Sequence, residues 1–263
     1  MSLKLMLEKT VARYAGKTAI VLDERRVSYA ELDEDSNRVA NILIKKGVKK
    51  GDRVLTLLPN SLEFVAIYFG VIKAGGIVVP LDIRYRIDEL ASLLANCQPK
   101  VMVTASPILE SLVPALSQFD SVEHVIDLGS GGEGKFLSYR EIMATGSTQR
   151  VEVVLDPDDI ATISYTGGST NHPRGVALSH RSLVTEAIIS GDGFQQTDKD
   201  VMILFALPMY HMFGLASVLL TSVNKGSTVV MVSGTGISLG SVMEAIEKEK
   251  GTMFLGEPYI YAL

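Results

Sequence analysis

The chain has a single cysteine, Cys97, among its 263 residues. An internal disulfide and an all-cysteine zinc site are thereby excluded, and Cys97 reads as a small core residue at the end of a helix. A basic excess is missing too: 25 Lys and Arg against 30 Asp and Glu leave a formal charge of −5. Nucleic-acid-binding domains usually show the opposite balance, so nucleic acid is not an expected partner. No apolar run reaches the roughly 18 residues of a membrane-spanning helix. The N-terminus carries charges at Lys4, Glu8 and Lys9 and lacks a secretory apolar stretch, which makes cytoplasmic placement the default expectation. The four histidines include no pair at metal-binding spacing, so no protein-bound metal is predicted. No repeat of solenoid type is present.

What remains is a composition rich enough for a large core, 47% hydrophobic and 21% charged. Short β-branched runs alternate with longer amphipathic segments. Strands are predicted at 18–22, 53–57, 76–80, 100–104, 124–127, 159–165, 201–206, 227–231 and 252–255. Helices are predicted at 28–46, 61–74, 87–96, 107–116, 138–144, 180–190, 213–223 and 238–248. Alternation at this spacing predicts an α/β fold of βαβ units, with parallel or mixed sheets flanked by helices. Local chemistry marks several boundaries. Residues 23–26, D-E-R-R, read as a hairpin turn. Ser28 and Glu31 form a capping box, and Gly47 ends that helix. Residues 129–134, G-S-G-G-E-G, read as a surface loop. The polar stretch 146–157 is expected to join two subdomains.

The most informative segment is 166–175, T-G-G-S-T-N-H-P-R-G. It follows a short apolar strand and precedes Val176-Ala177-Leu178 and a helix start at Ser179-His180-Arg181. Glycines let backbone N–H groups approach a ligand closely. Thr166, Ser169 and Thr170 add hydroxyl donors, and Arg174 adds a permanent planar cation suited to phosphate oxygens. The pattern is neither the G-x-x-x-x-G-K-[ST] loop nor the G-x-G-x-x-G dinucleotide fingerprint.

Residues 165–175, Y-T-G-G-S-T-N-H-P-R-G, resemble the Y-T-S-G-T-T-G-x-P-K-G signature of the adenylate-forming superfamily. That superfamily holds acyl- and aryl-CoA synthetases, amino-acid adenylation domains and firefly-type luciferases. Four further segments resemble the family in order and spacing: 27–32 (V-S-Y-A-E-L), 73–82 (K-A-G-G-I-V-V-P-L-D), 207–214 (L-P-M-Y-H-M-F-G) and 254–258 (F-L-G-E-P). Three positions depart from the signature. Gly167 stands in place of serine, Asn171 in place of glycine and Arg174 in place of lysine. Asparagine tolerates a left-handed backbone, and arginine keeps the charge while changing a point cation into a fork.

The resemblance implies an acid–CoA ligase, fatty-acyl or aryl, that activates a carboxylate with ATP through an acyl-adenylate and passes the acyl group to coenzyme A. Its cofactors would be ATP, Mg2+ and coenzyme A as co-substrate. By the same resemblance the nucleotide site comprises Thr166, Gly167, Gly168, Ser169, Thr170, Asn171, Arg174 and Gly175. His211 would line the carboxylate and acyl channel as the catalytic candidate, near Phe213 and Gly214. Read from the residues alone, His211 serves equally as a hydrogen-bonded packing histidine at a strand end. His180 is expected to cap and pack beneath the phosphate loop, His172 to sit exposed in it, and His124 has no role. The Met and Phe residues from Met202 to Phe213 read either as acyl-binding wall or as core.

Family segments resembling Y-G-x-T-E, the ribose-binding aspartate, the hinge and the late catalytic lysine have no counterpart here. The expectation is therefore an incomplete acyl-CoA synthetase N-terminal domain spanning residues 1–263, inactive alone, with an exposed cut surface favouring homo-oligomers. Two alternatives stay open: a non-catalytic module binding a nucleotide or acyl ligand, and an amino-acid adenylation domain.

Overall fold

A computed structural model describes residues 1–129, 135–166, 174–232 and 239–262. The chain divides into two compact units. The first comprises Met1–Asp33, Asn60–Leu62 and Arg181–Leu263, and the second comprises Glu34–Pro59 and Glu63–His180. Residues 146–157, expected to join two subdomains, lie wholly inside the second unit. The crossings fall instead near residues 33, 60–62 and 180.

The first unit holds a five-stranded sheet. Its strands are β1 (Thr18–Leu22), β2 (Arg25–Ser28), β10 (Val201–Leu204), β11 (Thr228–Met231) and β12 (Met253–Phe254), in the order β12-β10-β11-β1-β2. Only the β1–β2 pair is antiparallel; its turn is Asp23–Glu24, since Arg25 and Arg26 of the expected 23–26 turn are already paired in β2. Val21, Ile203, Phe205, Val230 and Val242 form its core. Helix α1 (Leu3–Tyr14), absent from the sequence reading, buries Leu3, Met6, Leu7 and Thr10 at helical spacing. The Ser2 hydroxyl caps it by accepting from the Leu5 N–H at 3.2 Å.

The second unit holds a seven-stranded sheet: β3 (Arg53–Leu57), β4 (Ile77–Pro80), β5 (Val101–Thr104), β6 (His124–Asp127), β7 (Phe136–Ser138), β8 (Ile160–Thr166) and β9 (Arg174–Ser179). Their order is β7-β6-β5-β3-β4-β8-β9, parallel throughout except β8–β9. Val54, Leu55, Val78, Val79, Val101, Met102 and Val103 are each no more than 1% exposed. Strands covered on both faces carry continuous apolar runs rather than alternation, which is why they were legible as strands. Helix α4 (Ile87–Cys97) lays Leu90, Leu93, Leu94 and Cys97 on this core, so Cys97 takes the place expected of it. The parallel strands all end at one edge of the sheet, and the chain leaves β8 for residues 167–173 from that edge. Open α/β sheets bind ligands outside the carboxyl ends of their strands.

The remaining helices follow the expected positions closely: α2 (Tyr29–Lys45), α3 (Leu62–Lys73), α6 (Tyr139–Thr145), α7 (His180–Gly193) and α9 (Leu239–Glu249). The capping box is formed, with Ser28 N–H donating to Glu31 Oε2 at 2.7 Å and Glu31 N–H to Ser28 Oγ at 3.2 Å. Two expected helices change character along their length. The one predicted at 107–116 is α5 (Ser106–Leu112) followed by a 3-10 stretch, Val113–Gln118. Pro114 has no N–H with which to extend the α ladder. The one predicted at 213–223 is a π-helical stretch, Phe213–Leu220, continued by α8 (Thr221–Lys225). Among the described residues no helix is long and apolar enough to cross a membrane.

Candidate functional site

The glycine- and hydroxyl-rich segment joins two antiparallel strands, not a strand and a helix. Thr166 on β8 stands opposite Arg174 on β9, and the ladder runs back to Ile160 opposite Ser179. Residues 176–178 belong to β9, a strand not among the expected elements, and the helix begins only at His180. Of the expected nucleotide-site residues, Gly167, Gly168, Ser169, Thr170 and Asn171 lie outside the described residues, as does His172. Thr166, Arg174 and Gly175 are brought together at the hairpin mouth. Thr166 and Arg174 are both exposed, and the Thr166 hydroxyl donates to the Arg174 carbonyl at 3.4 Å. The Arg174 guanidinium has no carboxylate partner among the described residues. Gly175 faces Tyr165 across the ladder. A Cβ there would sit 3.0 Å from Ile163 Cγ2 and 3.2 Å from Tyr165 Cζ, so the absent side chain lets the tyrosine ring lie across the strand.

The hairpin is anchored along its length. The Tyr165 hydroxyl donates to Asn96 Oδ1 at 2.5 Å. Burial, with Cys97 alongside, pushes the Tyr165 phenol above its usual range, and it remains a neutral donor. In the core, Tyr68 and Thr162 share a buried hydroxyl–hydroxyl bond of 3.0 Å. At the far end His180 is 1% exposed, and its N–H donates to the Asp159 carbonyl at 3.0 Å. Burial pushes the imidazole down to about 4, with Asp159 opposing the shift and Lys50 adding to it. Asp159 is itself paired with Lys50 at 2.6 Å. His180 is thus a neutral packing residue. It stands at the base of the hairpin, about 20 Å of strand from the loop.

His211 belongs to the first unit and is exposed. The segment that carries it is irregular. Ala206 takes a left-handed backbone, φ 56, which costs of order 1 kcal/mol for a residue with a Cβ. Leu207 to Met209 is clamped by one side chain: Asn60 Nδ2 donates to the Leu207 carbonyl at 2.9 Å and Asn60 Oδ1 accepts from the Met209 N–H at 2.7 Å. The chain then turns, with His211 N–H donating to the Pro208 carbonyl at 3.1 Å and Leu215 N–H to the His211 carbonyl at 3.0 Å. Gly214 makes the turn sterically feasible, since a Cβ there would fall 2.4 Å from the Pro208 carbonyl oxygen. The π-helical stretch begins beside it, a form frequent at functional sites.

The ring of His211 has a defined orientation. Phe213 N–H donates to His211 Nδ1 at 3.2 Å. An accepting Nδ1 puts the proton of the neutral ring on Nε2, leaving an N–H donor on the free edge. Behind this loop the π-helical stretch is tied to α7. Ser217 and Ser190 hydroxyls donate to Glu186 Oε1 at 3.1 and 2.7 Å, while Glu186 Oε2 is buried without a partner among the described residues.

Met202, Phe205 and Met209 are buried and serve as core, whereas Met212 and Phe213 are half-buried beside His211. The sequence reading missed Asn60 and Glu186. Asn60, between Pro59 and a helix start, reads there as ordinary loop. Only the fold brings it against residues 207–209.

Comparison with known proteins gives this geometry a context. A model of the AMP-binding enzyme family matches residues 7–263. The mitochondrial medium-chain acyl-CoA ligase ACSF2 of Danio rerio is 31% identical over 283 residues, covering 97% of this chain and 46% of that protein. The long-chain-fatty-acid–CoA ligase of Bacillus subtilis (strain 168) is 27% identical over 290 residues, covering 99% and 51% respectively. The crystal structure of ATP-bound MatB from Rhodopseudomonas palustris superposes with a TM-score of 0.86 at 26% identity, over 100% of this chain and 50% of that one. The chain spans about half the length of the curated relatives it matches. Because the family match runs through both units, this chain belongs to the AMP-binding enzyme family.

Proposed function

We propose that the chain carries the nucleotide-phosphate hairpin and the carboxylate-side histidine of an AMP-forming acid–CoA ligase acting on fatty-acyl or aryl acids. The observation that carries this reading is the β8–β9 hairpin mouth. There an exposed cation without a carboxylate partner among the described residues and an exposed hydroxyl face each other at the carboxyl edge of a parallel sheet. That donor set fits a polyphosphate. Thr166, Gly168, Ser169, Thr170 and Arg174 would hold the β- and γ-phosphates, with Gly167, Asn171 and Gly175 shaping the turn. Magnesium would arrive with the nucleotide and neutralise phosphate charge. No described cluster of His, Cys, Asp and Glu offers a metal site of its own.

In the first half-reaction a carboxylate oxygen attacks the α-phosphorus of ATP, the bond to the β-phosphate oxygen breaks and pyrophosphate leaves. In the second, the coenzyme A thiol attacks the acyl carbonyl, loses its proton and displaces AMP. The residues' contribution is to hold the reactants in line and stabilise charge. His211 fits as a donor: with Nδ1 occupied by Phe213 N–H, its Nε2–H can bond a carboxylate oxygen, and that edge offers no lone pair with which to act as a base.

The 263 residues taken alone bind nucleotide without completing turnover, since the later family segments have no counterpart among them. Titration calorimetry with MgATP tests the hairpin. Wild type should bind, and Arg174→Ala should weaken binding about tenfold or more, the worth of a charge-assisted hydrogen bond. Absence of heat from the wild type would overturn the phosphate site, and carboxylate-dependent ATP–pyrophosphate exchange by this chain would overturn its inactivity. The non-catalytic alternative draws on the departures at Gly167, Asn171 and Arg174. It gains if nucleotide binds but carboxylate does not.

A further inference from the structure

We propose that Asn60 is the positioning residue of the His211 loop, holding Leu207–Met209 so that His211 presents its Nε2–H edge to the substrate carboxylate. The inference rests on the reading of His211 given above. Its basis is geometric. Asn60 lies 147 residues from Leu207 and 149 from Met209 in sequence, yet a single side-chain amide satisfies a carbonyl on one and an N–H on the other. Both bonds are part-buried, and a buried backbone group left without its partner costs free energy. An amide suits this task because it offers a donor and an acceptor in one plane.

The braced segment needs the help. On one side stands Ala206 in a left-handed conformation, and on the other Gly214, where a Cβ would fall 2.4 Å from the Pro208 carbonyl oxygen. Left-handed backbone persists in a residue with a Cβ only where the surroundings over-determine it. The turn that follows, from the Pro208 carbonyl to His211 N–H and from His211 Nδ1 to Phe213 N–H, starts from the residues that Asn60 fixes. The position of the His211 ring is therefore set by a residue that makes no hydrogen bond to it.

NMR on the 263-residue chain tests this directly. In the wild type the Met209 amide should exchange slowly, and the ring nitrogens of neutral His211 should report a single Nε2–H form. Asn60→Ala should speed Met209 exchange about tenfold relative to Ile203 in interior strand β10 and move the His211 shifts toward the average of both tautomers. Asn60→Asp keeps an acceptor for Met209 N–H but sets a carboxylate against the Leu207 carbonyl. Met209 should stay protected while the ring shifts still move. Unmoved exchange and unmoved ring shifts in Asn60→Ala overturn the proposal, and if that variant does not fold, unmoved ring shifts in Asn60→Asp overturn it. Affinities for octanoate and MgATP separate positioning from general stability. Asn60→Ala should weaken octanoate about tenfold and leave MgATP unchanged, and equal losses of both would overturn the proposal. Should His211→Ala leave octanoate affinity untouched, or the wild type not bind octanoate, the carboxylate reading of His211 fails, and the NMR results still decide the role of Asn60.

Discussion

The β8–β9 hairpin and the His211 loop reach their shapes by different means. The hairpin is a regular antiparallel ladder of six paired positions with one irregularity, between Ile160 and Thr162. Its base is a buried neutral histidine and its middle a buried Tyr68–Thr162 hydroxyl pair. The His211 loop has no ladder. It is held by a left-handed alanine, a glycine pressed on a carbonyl, a distant asparagine and a π-helical stretch. The difference teaches where each is vulnerable. The hairpin depends on burial of its base, so it answers to pH, whereas the loop depends on close backbone approach, so it answers to single atoms.

The largest expected effect separates them by pH. The folded chain binds a proton on His180 less tightly than the unfolded chain, about 4 against an ordinary 6.5. The stability tied to keeping that ring neutral is therefore intact above about 6.5, falls as pH drops toward 4 and is lost below. It amounts to at most about 3 kcal/mol. Urea unfolding measured between neutral and acid pH should show this slope, and His180→Asn should flatten it. A slope unchanged by the substitution would break the assignment of pH sensitivity to the hairpin base.

Next in size is Gly214→Ala. Its methyl would fall on the Pro208 carbonyl oxygen, 2.4 Å away, and the backbone must shift to admit it. A loss of about 2 kcal/mol in urea unfolding is expected, with the amides of Met209 and Phe213 exposed first in hydrogen exchange. Protection lost in β8 and β9 as well would show that the hairpin and the His211 loop do not hold their shapes separately. The smallest effect carries the opposite sign. Ala206→Gly removes the left-handed penalty and should stabilise by about 0.5 kcal/mol after the extra freedom of glycine in the unfolded chain is subtracted. A destabilised variant would show that the φ of 56 at Ala206 carries no strain.

Much of this was legible in the sequence because it is local. Buried parallel strands such as Val101-Met102-Val103 are apolar without interruption, and a capping box such as Ser28 and Glu31 is a pattern of two residues. The glycines, hydroxyls and arginine of segment 165–175 mark it in the sequence as the candidate phosphate site. Its expected strand-to-helix context does not hold: Val176-Ala177-Leu178 is short and mostly exposed, and only pairing with β8 makes it a strand. The π-helical stretch was read as ordinary helix, since its apolar run Phe213–Leu220 is compatible with either winding.

Composition and pattern by themselves determined that this chain builds α/β sheets, because helix and strand periods and caps act over a few residues. The tertiary structure alone decided that β8 and β9 pair as a hairpin, that enclosure lowers the basicity of the His180 ring, and that Asn60 braces Leu207–Met209 ahead of His211. Each of those depends on a partner far along the chain or on enclosure by the rest of the fold, and neither distance nor burial is written in a short window of residues.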